Sequence, residues 1–123
     1  MTDSKFLDSS IWIAFLAKNQ NTEIINSNAT LMTSSLTLFE TKRKLLKDKI
    51  SKTDIEKVLS FIKSRSLIIP PDEKIAEIAA QIAYEKNLPT IDSLIYASAK
   101  ENRMKLITMD NDFRELDNVE IID

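Results

Sequence analysis

The chain has no glycine, no histidine and no cysteine in 123 residues, and only three prolines. Each absence removes a class of chemistry. Without glycine there is neither a P-loop nor a GxGxxG dinucleotide turn, since both need a residue lacking Cβ where backbone meets phosphate. Without histidine, Ser-His-Asp and Cys-His nucleophile systems cannot form, nor can a His-ligated zinc site. Without cysteine, disulfide frameworks and thiolate zinc sites are excluded, and the redox compartment leaves no trace. Long apolar runs are missing too: the segment 11–17 falls far below the roughly 20 residues a membrane span needs. The opening Met1-Thr2-Asp3-Ser4-Lys5 is not a basic segment followed by a signal-type apolar stretch, so a cytoplasmic protein is expected. What remains is carboxylate chemistry: general acid-base work, phospho-aspartate formation, or oxygen-ligated Mg²⁺ or Mn²⁺.

Hydrophobic residues at 43% and charged residues at 29% place the sequence among soluble globular proteins. Its length suits one domain, residues 1–123, able to bury a single core. The net charge of −2 argues against a generic nucleic-acid coat protein, yet the basic charge is clustered. Lys42, Arg43, Lys44, Lys47, Lys49 and Lys52 crowd one segment with Asp48 as the only acid among them. Such a patch can contact phosphates without a basic overall charge; it can equally be a solvated helix face.

Hydrophobic patterning alternates strand and helix. Lys5-Phe6-Leu7 reads as a strand, 9–17 as a helix apolar on nearly every side, 30–33 as a strand, and 36–48 and 53–64 as helices. Leu67-Ile68-Ile69 is a third strand, stopped by Pro70 and Pro71. Helices follow at 72–86, with its stripe of Ile75, Ile78, Ala79, Ile82 and Ala83, and at 91–102 after Pro89. Strands at 105–108 and 119–122 close the chain. This order predicts a doubly wound α/β fold, a three-layer parallel sheet flanked by helices.

In open parallel sheets, ligands sit beyond the carboxyl ends of the strands. Asp8 directly follows the first strand and Asp110 closely follows the fourth. Glu40 lies in the first or second turn of the helix leaving the second strand. Asp92 opens a helix that runs antiparallel to the next strand, which returns its N-terminus to the same edge. Topology alone thus gathers four acids that are distant in sequence. Two unit charges about 4 Å apart at an effective dielectric near 20 repel by about 4 kcal/mol. Such a cluster raises its own pKa values or recruits cations. Hard oxygen ligands suit Mg²⁺ or Mn²⁺, which activate water and neutralise a phosphodiester transition state.

Each acid also has an ordinary structural use. Asp8 and Asp110 precede helix starts and could be caps, as could Ser9 or Ser10. Asp92 sits where a helix dipole favours any acid, and Glu40 could pair with Arg43 or Lys44 on its own helix. Trp12, Phe15 and Leu16 fill the core beneath the first strand, or in part face a partner.

Phe6-Leu7-Asp8-Ser9-Ser10, Ser35-Leu36-Thr37-Leu38-Phe39-Glu40, Ile91-Asp92-Ser93-Leu94-Ile95-Tyr96-Ala97 and Leu106-Ile107-Thr108-Met109-Asp110-Asn111-Asp112-Phe113 resemble the four acidic motifs of PIN-domain nucleases. Size and motif order look most like the toxin ribonucleases of VapBC toxin–antitoxin pairs. The resemblance covers almost the whole chain and implies a sheet of order 3-2-1-4-5. It implies a Mg²⁺- or Mn²⁺-dependent endoribonuclease that cleaves RNA with metal-activated water. Asp8, Glu40, Asp92 and Asp110 match the family's acidic ligand positions, and Asp112 matches one that is acidic in some members only. Ser10 and Thr108 match hydroxyls that orient the acids or bound water; a local backbone cap is their alternative use. Arg43, Lys44 and Lys47, on Glu40's helix, are the expected RNA contacts. Family members commonly dimerise and are inhibited by a small antitoxin, so a homodimer and a cognate antitoxin are the expected partners.

Two other readings compete: a PIN-like domain that binds RNA or a partner without cutting, and a phospho-accepting receiver domain. The second needs an acidic pair after strand one, where Asp8-Ser9-Ser10 stands, and an Asp ending strand three, where Pro70-Pro71-Asp72 stands. A phosphatase of the haloacid dehalogenase type needs a second Asp at the position of Ser10.

Overall fold

A computed structural model of the protein describes residues 4–122. The opening Met1-Thr2-Asp3, on which the expectation of a cytoplasmic protein partly drew, and Asp123 lie outside the described residues. Five strands, β1 (Ser4–Leu7), β2 (Thr30–Ser34), β3 (Leu67–Ile69), β4 (Lys105–Thr108) and β5 (Val119–Ile121), form one sheet of order β3-β2-β1-β4-β5. All four pairings are parallel. This is the order the PIN resemblance implies. It differs from the 2-1-3-4-5 order of receiver-type doubly wound sheets, which removes that alternative.

Parallel neighbours need long crossovers. Here α1 (Ser9–Lys18) and α2 (Thr22–Ile25) join β1 to β2, α3 (Ser35–Lys47) and α4 (Lys52–Arg65) join β2 to β3, and α5 (Glu73–Lys86) and α6 (Thr90–Glu101) join β3 to β4. A single 3₁₀ turn, Asn111–Phe113, lies between β4 and β5. No helix among the described residues is long and apolar enough to cross a membrane.

Alternation along the strands builds two cores. Phe6 and Leu106, paired across β1 and β4, face one side with Ile95, Tyr96, Ala99, Met104 and Phe113. Leu7 and Ile107, the next pair, face the other with Leu31, Ile11, Trp12, Ile25 and Ile62. Trp12 is wholly buried; its indole N–H donates to Thr33 Oγ1 at 3.1 Å, and Phe61 meets its ring edge-on at 6.2 Å. Of the two uses the sequence left open, Trp12 takes the core one, and on the same helix Leu16 is the large apolar side chain left exposed.

Two local features differ from the sequence reading. α3 starts at Ser35 because Ser34 caps it, its hydroxyl accepting from the Leu36 N–H at 3.1 Å. α2 was not expected, since four residues are too few to show a helical period. It is held from outside by Arg65, whose guanidinium donates to the carbonyls of Ile25 at 2.6 Å and Ser27 at 2.9 Å.

The lack of glycine reappears in the backbone. Left-handed φ values fall on Asn19, Asn21, Asn87 and Asn118, and also on Lys49 and Arg103. Asparagine tolerates this region better than other residues with a Cβ, whereas long side chains lose about 1–2 kcal/mol there. Glycine gives up about 0.5–1 kcal/mol of extra chain entropy on folding. Arg103→Gly is therefore expected to stabilise the protein by up to about 1 kcal/mol in urea unfolding, with the m-value unchanged. A clear loss of stability would show that the α6–β4 turn gains nothing from glycine.

Candidate active site

Asp8 follows β1 and is only 4% exposed. It occupies the cap position of α1, yet its side chain makes no capping hydrogen bond. Instead Oδ2 accepts the Thr108 hydroxyl at 2.7 Å and the Ser10 hydroxyl at 3.0 Å. Each hydroxyl also accepts a backbone N–H from just beyond β4: Met109 to Ser10 at 2.9 Å and Asp110 to Thr108 at 3.0 Å. The two hydroxyls thus join the ends of β1 and β4 through the Asp8 carboxylate.

Glu40, in the second turn of α3, accepts the Ser9 hydroxyl at 3.1 Å. The sequence reading weighed Ser9 only as a cap; its one signal was adjacency to Asp8. Asp92 is the third residue of α6, where Pro89 holds the cap position without a side-chain hydrogen bond. Asp110 does cap, its Oδ1 accepting the Asp112 N–H at 2.9 Å at the start of the 3₁₀ turn. That turn swings Asp112 toward the cluster: Asp92, Asp110 and Asp112 each offer a carboxylate oxygen within 4.8 Å of the others. Asp112, secondary on sequence grounds, belongs to the tightest trio.

The acids sense one another. Burial raises the Asp8 pKa and the Asp110 charge adds to this, against the hydrogen bonds from Thr108 and Ser10. Burial, then the charge of Asp8, raises that of Glu40, against the bond from Ser9. Asp92 is pushed up to about 7 by burial and by the charges of Asp8, Asp110, Glu40 and Asp112. Among the described residues, no lysine or arginine forms a salt bridge with any of the five. The donor set is all carboxylate oxygen, without a resident counter-charge, which fits a hard divalent cation.

Beside this cluster, Ser9, Ile13, Glu40, Arg43, Lys44 and Lys47 line a cleft of about 290 Å³. The three basic residues named as RNA contacts therefore border the same hollow as Glu40. Lys44 pairs with Asp48 at 3.2 Å, while Arg43 and Lys47 have no acidic partner among the described residues.

A parallel α/β sheet with five acids gathered at its carboxyl edge and a basic cleft alongside defines a carboxylate-centred site of the sort that handles phosphodiesters. The sequence profile of the PIN domain matches residues 5–119, and the chain belongs to the PIN domain family, a family of nucleases. Solved structures with the same fold include a toxin–antitoxin complex from Klebsiella pneumoniae, 24% identical, with 94% of this chain and 95% of that one aligned at a TM-score of 0.79. VapBC2 from Rickettsia felis, bound to a DNA fragment from its promoter, aligns over 98% and 99% at 22% identity and a TM-score of 0.81. VapC20 from Mycobacterium tuberculosis, a sarcin–ricin loop cleaving toxin, aligns over 96% and 98% at 17% identity and a TM-score of 0.75. At these identities the likeness is one of fold. No curated protein matches the sequence.

The shifted carboxylates carry a pH signature. Asp92 ionises near 3.8 in the unfolded chain and near 7 in the folded one, so the folded state binds more protons between those values. The stability Asp92 contributes is thus complete below about pH 4 and is lost as pH rises through 7. In EDTA at pH 8, Asp92→Asn should be more stable than wild type by about 1–2 kcal/mol, after discounting for solvent screening of this half-exposed group. The gain should vanish near pH 4. A mutant equally or less stable at both pH values would mean that Asp92 only serves the helix dipole.

Proposed function

We propose that the protein is a divalent-metal-dependent endoribonuclease, the toxin of a toxin–antitoxin pair, working as a homodimer in the cytoplasm. The observation that carries this reading is the convergence of five carboxylates without counter-cations beside a basic cleft. Asp8, Glu40, Asp92, Asp110 and Asp112 would hold Mg²⁺ or Mn²⁺. When bound, the ion supplies a more acidic water and neutralises charge on the phosphodiester.

The chain's own groups do the rest. The Ser10 and Thr108 hydroxyls fix the Asp8 carboxylate and supply no counter-charge, and the Ser9 hydroxyl fixes Glu40. Ionisation of Asp92 near pH 7 sets the pH above which the five act as one anionic site. Arg43, Lys44 and Lys47 hold the phosphates of an RNA strand against the repulsion of the acids. RNA is the substrate that the VapC-like motifs imply, and toxin–antitoxin neighbours of the same fold support an antitoxin partner. A largely apolar hollow of about 200 Å³, lined by Thr41 and by apolar residues that include Ile13, Leu16, Leu45, Ile50 and Val58, suits such a partner.

The test is a cleavage assay on structured RNA. Purified protein should cut with Mg²⁺ or Mn²⁺ and stop in EDTA, and Asp92→Asn should lose activity by about 100-fold or more while remaining folded. Cleavage that survives EDTA, or full activity in the mutant, would contradict the mechanism. RNA bound in Mn²⁺ but never cut would make the protein a binding domain instead.

A further inference from the structure

The geometry points to a second nucleic-acid arm, formed by Lys86 and Arg114, on the far side of the acids from the α3 cleft. This inference rests on the nuclease reading and extends it to how the strand leaves the site. Along the sheet edge Glu40 follows β2, Asp8 follows β1, and Asp110 and Asp112 follow β4. The α3 cleft is lined by α1 and α3, which follow β1 and β2, and by no residue from the β4 side. On the β4 side, Lys86, Leu88, Asn111, Asp112 and Arg114 line a separate hollow of about 390 Å³. Asp112 is common to this hollow and to the tight carboxylate trio.

A polyanion crossing five carboxylates is repelled unless cations hold it on both sides; one arm alone would let the strand pivot away. β2 and β4 flank β1 at about 5 Å each, so the strand ends beside which the two arms lie are on the order of 10 Å apart, the axial length of about three phosphates. Lys86 ends α5, and neither it nor Arg114 has an acidic partner among the described residues. Asn111 Oδ1 accepts from Arg114 Nη2 at 2.8 Å, which holds the guanidinium at the rim. Glu115 also lines the hollow. With Asp112 engaged by the cation, it is the one acid left against two bases. Leu88 and Leu116 add an apolar floor on which a sugar or base edge can lie.

The experiment measures binding of two oligouridylates, about two and about twelve nucleotides long, across a salt series, the short one unable to reach both arms. It uses Asp92→Asn protein in Mn²⁺, so that the strand stays intact. In that background Lys86→Ala/Arg114→Ala should bind the long oligonucleotide about tenfold more weakly. Its log-log salt slope should flatten by about 1.4, since each single-strand contact contributes about 0.7. The advantage of the long oligonucleotide over the short one should disappear. Arg43→Ala/Lys47→Ala should do the same from the other side, and Arg114→Lys should keep the slope. If Lys86→Ala/Arg114→Ala keeps full affinity and slope while the α3 pair loses both, the second arm is overturned and the nuclease reading stands. That same result is expected if the hollow receives an acidic protein segment rather than RNA. If the parent protein binds neither oligonucleotide, the nuclease reading fails and the arm fails with it.

Discussion

Like-charge repulsion at the carboxyl edge of the sheet is the constraint around which the rest of this molecule is arranged. Parallel order brings the chain positions after β1 and β4, and the starts of α3 and α6, to one side. Each of those positions carries an acid. Burying Asp8 and raising Asp92 to about 7 is unfavourable in the metal-free protein, and no lysine or arginine salt bridge relieves it among the described residues. Structure that gives up stability at one site in this way generally does so for function.

The surroundings keep the acids together. Two apolar layers clamp β1 and β4 between α1, α2 and α4 on one face and α5 and α6 on the other. The turn bearing Asp110 and Asp112 is fixed by Phe113, which is fully buried. Further along, the Tyr96 hydroxyl donates to the Asp117 carboxylate at 2.5 Å, and Lys100 lies 3.3 Å from the same group. Burial and the Asp117 carboxylate drive the Tyr96 pKa upward, so it stays a donor at any physiological pH. Neutral hydroxyls from Ser9, Ser10 and Thr108 do the local orienting. A lysine there would satisfy the acids and leave no reason to take up a cation.

Much of this was legible in the residues. Short apolar runs located the strands and helical-period stripes the five longer helices, and parallel topology then placed Asp8, Glu40, Asp92 and Asp110 at one edge. What escaped depends on tertiary context. α2 is held by Arg65 from 40 residues away in sequence, and nothing local announces it. Asp112 ranks with the other acids only because Asp110 caps the turn that carries it. Ser9 looked like a helix start and proved to be a hydrogen-bond donor to Glu40 across 31 residues. The missing glycines did not foretell that asparagine, lysine and arginine would take the left-handed turns.

The central claim is that the acids form one coupled, cation-seeking site, and calorimetric titration of Mn²⁺ tests it most directly. Near pH 6.5 Asp92 in the metal-free protein is largely protonated, so filling the site must expel that proton. Titrations in buffers of different ionisation enthalpy should reveal saturable binding with release of a large fraction of one proton per protein. The release should fade by pH 8.5 and be much reduced in Asp92→Asn. Saturable binding without proton release, or no binding at millimolar Mn²⁺, would contradict a single coupled site.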